Sequence, residues 1–149
     1  MLNIIVSCCV KDKNKILMVQ ENKKDIEGKW DFPGGKLEET ENIFMTAKRE
    51  IMEETGYKID IDNILLMQNY VTPKGEMLII YFNSHLIEEF QCNYRKDEIK
   101  NVKWLTIDEI KEIPQDKIRG NDGFLKLIYN IENNINYPLD IFDIHDYLN

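Results

Sequence analysis

Cysteine is scarce in this 149-residue chain, with two adjacent residues (Cys8, Cys9) and one remote (Cys92). That count makes neither a disulfide framework nor a zinc spacing, and it fits a reduced, cytoplasmic setting. Long apolar runs are also missing. The N-terminal stretch Met1 to Val10 falls far short of the roughly 20 residues of a membrane span, has no basic n-region, and reads as a strand rather than an anchor or leader. Positive charge is in deficit: 19 Lys and Arg stand against 27 Asp and Glu, a net charge of −8. Gripping duplex nucleic acid through its phosphates needs a basic surface, so neither such a partner nor a membrane is expected. The two histidines, His85 and His145, have no matched partners and are assigned no chemistry. No repeat, low-complexity tract or Pro/Gly/Ser linker divides the chain. One domain over residues 1–149 is expected, with residues 133–149 as a C-terminal extension, and the length supports a core without staples.

What is present begins with strand patterns. Ile4 to Val10 and Lys15 to Gln20 are β-branched runs about a polar turn, a hairpin signal, and Glu21 to Lys29 is polar loop. Trp30 to Phe32 reads as a short strand entering Pro33-Gly34-Gly35, where glycine permits close backbone approach to a ligand. Ile59 to Val71 and Met77 to Leu86 form a second hairpin about Thr72-Pro73-Lys74-Gly75-Glu76, and Asn101 to Leu105 a further strand. Thr106-Ile107-Asp108-Glu109 fits a capping box opening a short helix that stops near Pro114. Asp122 to Glu132 carries Phe124, Leu127, Ile128 and Ile131 at helical spacing. The order strands, helix, strands, helix predicts an α+β layered fold. The tail carries Tyr137, Ile141, Phe142, Ile144, Tyr147 and Leu148 among acids, and packing on the domain, a substrate lid or a dimer contact are its open readings.

The most informative segment runs from Gly35 to Tyr57. Acids at Glu38, Glu39 and Glu41 approach a helix predicted over Asn42 to Thr55, and Gly56 suits its C′ position. At about 100° per residue, Phe44, Ala47, Ile51 and Thr55 form one stripe, while Glu50, Glu53 and Glu54 crowd a second face. Like charges at i, i+3 and i, i+4 destabilise an isolated helix by roughly 0.2–0.5 kcal/mol per pair, so a cation is expected there. Hard oxygen donors with no Cys or His pattern favour Mg²⁺ or Mn²⁺ over Zn²⁺.

Gly35, Glu41, Arg49, Glu50, Ile51, Glu53, Glu54, Gly56 and Tyr57 stand at the positions of the Nudix box, G-x5-E-x7-R-E-U-x-E-E-x-G-U, with the aromatic Tyr57 where an aliphatic residue is usual. A chance match has a probability on the order of 10⁻⁸ to 10⁻⁷, so the segment resembles the Nudix (MutT-like) hydrolases specifically. Trp30 to Gly35 is similar to the family's W-x-x-P-G-G lead-in, and a looser likeness extends from about Ile4 to about Ile110.

The resemblance implies an α/β/α sandwich, with a mixed β-sheet between the box helix and a C-terminal helix. It implies a Mg²⁺-dependent hydrolase, Mn²⁺ being a substitute, that cleaves the diphosphate linkage of a small nucleoside diphosphate derivative. The chief options are a nucleoside triphosphate, giving monophosphate and pyrophosphate, and ADP-ribose. By the same resemblance Glu50 and Glu54 ligate the metal, Glu53 ligates or bridges through water and is a candidate base, and the Gly35 carbonyl adds a backbone ligand. Arg49 and Glu41 hold loop and helix together, with substrate contact as the other role for Arg49. A further acid from a later loop is expected as ligand or base. Glu98 is the choice, a solvated loop charge being its plain alternative. Trp30 and Phe32 are the leading stacking surfaces for a base, with Tyr70, Tyr81 and Trp104 also aromatic. Pro73 stands where ADP-ribose-hydrolysing members carry a proline, and it also suits a turn. A monomer or homodimer acting on a small nucleotide is expected. The alternative is a non-catalytic nucleotide-binding sensor of the same fold, against which the retention of every box acid weighs.

Overall fold

A computed structural model describes residues 2–90, 95 and 97–146. Met1, Cys92, Tyr147 and Leu148, all named above, lie outside the described residues. The first hairpin forms as expected from β1 (Leu2–Asp12) and β2 (Lys15–Glu21), but the two strands stay paired only near the turn, at Lys11 with Ile16 and Asp12 with Lys15. Beyond that point they splay. β1 goes on to pair with β4 (Gly34–Lys36) and, in parallel, with β6 (Gly75–Glu89), while β2 pairs with β3 (Trp30–Asp31) and β7 (Ile99–Leu105). β5 (Tyr57–Thr72) closes the sheet antiparallel to β6. One parallel pairing among antiparallel ones makes the sheet mixed, and the splay opens a cleft between its halves. Gly34 and Gly35, expected only as part of a turn, enter the sheet in β4.

Both sheet faces are covered, because strand residues alternate between them. Val6, Cys8, Val10 and Leu17 face α1 (Ile43–Thr55), which contributes Ala47 and Ile51. Cys9, Ile16 and Met18 face the opposite layer, where Ile110 of α2 (Ile107–Lys111) and Phe124, Leu127 and Ile128 of α3 (Asn121–Glu132) pack. This is an α/β/α sandwich. The Thr106 capping box is made in both directions with Glu109. Cys8 and Cys9 are free thiols on opposite faces, and burial raises both, Cys9 to about 12.

Among the described residues, the tail packs on the domain. Tyr137 pairs backbone-to-backbone with Ile64, and the Phe142 ring lies 5.7 Å from Phe44 and 5.9 Å from Phe82. Among the described residues no helix is long and apolar enough to cross a membrane.

Candidate active site

The site is built on α1. Asn42 caps its first turn through Met45 N–H, and Gly56 ends it in the left-handed region at φ 79°, its N–H on the Met52 carbonyl. The apolar stripe anchors one side of the helix, and this turns Glu50 and Glu54 inward to 5% and 8% exposure. Facing them is β4, held to β1 through Ile5, Val6 and Ser7. The Gly34 N–H donates to Glu54 Oε2 at 3.3 Å. Gly35 lies so close to α1 that a Cβ there would overlap the Glu50 carboxylate. The glycine makes room for an acid, and it leaves its backbone beside that acid.

Two arginines supply the positive charge. Arg49 donates from Nε and Nη2 to both oxygens of Glu41 (2.7 and 2.9 Å), and from Nη1 to Glu50 (2.8 Å) and Glu53 (3.1 Å). These bonds hold the Glu41 carboxyl below the usual range and push the guanidinium above its own. The residue ties the loop before α1 to the helix, as expected. Every branch of its guanidinium is committed to protein acids.

Arg95, which sequence reasoning missed, reaches Glu53, Glu50 (3.5 Å) and Glu98 (3.2 Å). Through it the structure brings the loop acid Glu98 to the box. No spacing pattern marks Arg95. It is found only because its backbone N–H docks on the Glu53 carbonyl at 3.3 Å.

Burial raises Glu54 from its ordinary 4.5 to about 9, with the neighbouring Glu50 charge as the second cause. A carboxyl so placed fits a hard divalent cation, as does the all-oxygen donor set of Glu50, Glu53, Glu54 and the Gly35 carbonyl. Among the described residues no three acidic, imidazole or thiol side chains already converge as a ligand cage, since Arg49 and Arg95 hold the acids instead.

A cleft of about 390 Å³ opens beside the box, its walls including Gly34, Gly35 and Glu54 together with Glu21, Asp31 and Arg119. Glu21 is 6% exposed and pairs with Arg119 at 3.2 Å, and Asp31 is pushed up to about 7, chiefly by desolvation. These three residues escaped sequence reasoning. Only the position of Asp31 within the lead-in hinted at a role.

The expected stacking residues fare differently. Phe32 is 3% exposed, its ring stacked on Phe124 at 5.7 Å and edge-on to Tyr81 at 6.4 Å, so most of the ring is core, while the residue also borders the cleft beside Asp31 and Gly34. Trp30 packs against the same core cluster as Phe32. It lines a separate cleft of about 490 Å³ with Gln20, Lys100 and Pro114, which holds no box residue, and Lys103 Nζ lies 5.8 Å from its ring centre. Trp104 packs on Tyr57 at 5.3 Å, which gives the box's aromatic last residue its place. Tyr70 and Tyr81 do reach the cleft wall.

Comparison with known proteins agrees with this geometry. The NUDIX domain model matches residues 1–127. The 8-oxo-dGTP diphosphatase of Buchnera aphidicola is 34% identical over 110 residues, covering 73% of this chain and 80% of the relative. The phosphatase NudJ of Escherichia coli is 30% identical over 111 residues, 72% of this chain and 71% of the relative. Other relatives are longer: the chain spans 31% of a Caenorhabditis elegans nudix protein and 31% of human nucleoside diphosphate-linked moiety X motif 6. Among solved structures, a NUDIX hydrolase from Nitrosomonas europaea superposes with a TM-score of 0.86 over 97% of this chain and 98% of its own, at 24% identity, which speaks to the fold. With a complete box on α1, the sandwich around it and a family model spanning most of its length, the chain is a member of the Nudix hydrolase family.

Proposed function

We propose that the chain is a cytoplasmic, Mg²⁺-dependent pyrophosphohydrolase, with Mn²⁺ as a substitute, acting on a small nucleotide as a monomer or homodimer. Its foremost reaction is the conversion of a nucleoside triphosphate to a monophosphate and pyrophosphate. The observation that carries this reading is the pair of buried acids Glu50 and Glu54, held against the Gly34-Gly35 backbone at the wall of a nucleotide-sized cleft. The names of the Buchnera and E. coli relatives, a diphosphatase and a phosphatase, point the same way. ADP-ribose ranks second. Pro73 sits at the exposed tip of the β5–β6 hairpin, where Thr72 and Gly75 close the turn, and its turn role accounts for it.

Glu50, Glu53, Glu54 and the Gly35 carbonyl would hold the metal. When bound, it would neutralise charge on the diphosphate oxygens and lower the pKa of a water. Glu53, the most accessible acid of the three, would take that water's proton. Glu98 stands as a second acid sharing Arg95 with it. Arg49 keeps Glu50 and Glu53 in place through its anchor on Glu41. Arg95 holds the acids together when no other cation does, and its long side chain can then turn to the substrate's phosphates.

The test is a phosphate-release screen with Mg²⁺ against nucleoside triphosphates, including oxidised ones, ADP-ribose, nucleotide sugars and dinucleoside polyphosphates, run beside Glu53→Gln. Loss of a general base lowers turnover by about 10²–10⁴-fold. A hit suppressed to that degree in the variant identifies the substrate class. Silence across the panel with nucleotide binding retained would replace the hydrolase with the sensor.

A further inference from the structure

Glu21, Asp31 and Arg119 lie apart from the box in sequence, yet they line the same cleft as Glu54. They come from three segments: the end of β2, β3, and the approach to α3, which is tied to β3 by Arg119 N–H on the Trp30 carbonyl at 3.0 Å. Glu21 is 94% buried by its 6% exposure, and only its Oε1 is partnered, by Arg119, while Oε2 has no hydrogen-bond partner. A buried carboxylate oxygen without a donor is costly to keep, and such groups call for a ligand that supplies one. The rest of the cleft is suited to a flat ring, with Ile5, Met77, Ile79, Tyr70 and Tyr81 on its walls. A metal held by the box acids would draw the phosphate end of a nucleotide, which leaves this end of the cleft, with its apolar and aromatic walls, for the base.

We propose that Glu21, with Asp31 and Arg119, forms a base-reading subsite that selects guanine-type bases. Guanine presents two adjacent donors, N1–H and the 2-amino group, next to the O6 acceptor. Glu21 Oε2 and Asp31 can accept from the donors, and the Arg119 guanidinium can donate to O6. Adenine and cytosine place a ring acceptor beside their amino donor, which would face a carboxylate oxygen. Uracil and thymine offer a single N–H between two carbonyls. Oxidation of guanine at C8 leaves the N1–H and 2-amino edge in place, so this subsite accepts both forms. The inference deepens the hydrolase reading, resting on it only in taking the ligand to be a nucleotide.

Equilibrium binding decides it without catalysis. Calorimetric titration of the protein in Mg²⁺ with GMP, IMP and AMP should give GMP about 10-fold or more tighter than IMP, which lacks the 2-amino group, and tighter still than AMP, as a hydrogen bond to a charged acceptor implies. Glu21→Gln and Asp31→Asn, each confirmed folded by melting, should shrink the GMP-to-AMP ratio by about 10-fold in at least one of them. The wild-type comparison stands even if a variant does not fold. GMP and AMP binding within twofold of each other, no binding of any of the three, or an unchanged ratio in both folded variants overturns the subsite. A guanine preference in a protein that cleaves no nucleotide would spare the subsite and sink the hydrolase. Equal kcat/KM for guanine and adenine triphosphates would do the reverse.

Discussion

Two adjacent glycines have opposite dependencies. A Cβ on Gly35 would collide with the end of the Glu50 side chain, which can swing away, whereas one on Gly34 would strike the Val6 carbonyl and the Ser7 backbone, which cannot. Gly35→Ala should therefore leave the melting temperature nearly intact and weaken Mg²⁺ affinity, by about 10-fold if the displaced Glu50 is lost as a ligand partner. Gly34→Ala should instead destabilise by about 1–3 kcal/mol, the usual cost of overpacking. Melting curves and metal titration of the two variants check both halves. Equal loss of stability in the two would contradict the assignment. Glu54 carries a pH prediction. Its folded carboxyl, raised to about 9 from 4.5 by burial and then by Glu50, keeps a proton that the unfolded chain releases. The folded state then binds more protons between those values, so stability of the metal-free protein is fullest below about pH 4.5 and falls as pH rises toward 9. Melting in a chelator from pH 5 to 8.5 should show the decline in the wild type and its loss in Glu54→Gln, each kcal/mol lowering the midpoint by about 2–4 °C.

The box helix shows how one element serves stability and chemistry on different faces. Ile51 is fully buried among Val6, Cys8, Val10 and Phe82, and Ala47 shares that face. Docking it turns Glu50 and Glu54 toward the Gly34-Gly35 backbone and puts Glu54 on the cleft wall, so the position of the acids is set by apolar packing on the far side. Ile51→Ala should cost about 2–5 kcal/mol, measurable by denaturant unfolding. The periodicity of this helix was legible in the sequence, as were its Asn42 start and Gly56 stop, because caps and amphipathic stripes are local signals. The partners of its acids were not. Arg49 lies within the motif, but Arg95 comes from 42 positions beyond Glu53 through contacts made only on folding.

At the scale of the molecule, the splay of β1 from β2 makes the cleft, and the tail is a structural strap. Phe142 packs edge-on against both Phe44 and Phe82, themselves 5.5 Å apart, on the α1 side and away from the cleft walls. Phe142→Ala should lower stability by roughly 1–3 kcal/mol, the worth of burying such a side chain, while kcat stays within a few-fold. A large fall in kcat at unchanged stability would restore the lid reading. Neither the splay nor the strap has a local signature, since each depends on which distant strand or ring is available to pair.

Sequence alone determined the family, because glycine, arginine and glutamate at fixed helical spacings leave few alternatives; through that resemblance it implied the sandwich, and by periodicity it put Glu50, Glu53 and Glu54 on one face of the helix. The hairpins and the capping box were equally plain, being written in neighbouring residues. Only the tertiary structure decided that Phe32 is core, that Trp30 faces another cleft, and that Glu21, Asp31 and Arg119 meet beside Glu54. Which face of a two-residue strand turns inward, and which charges are gathered from three separate segments, is fixed by how the sheet halves diverge, and no local pattern encodes that.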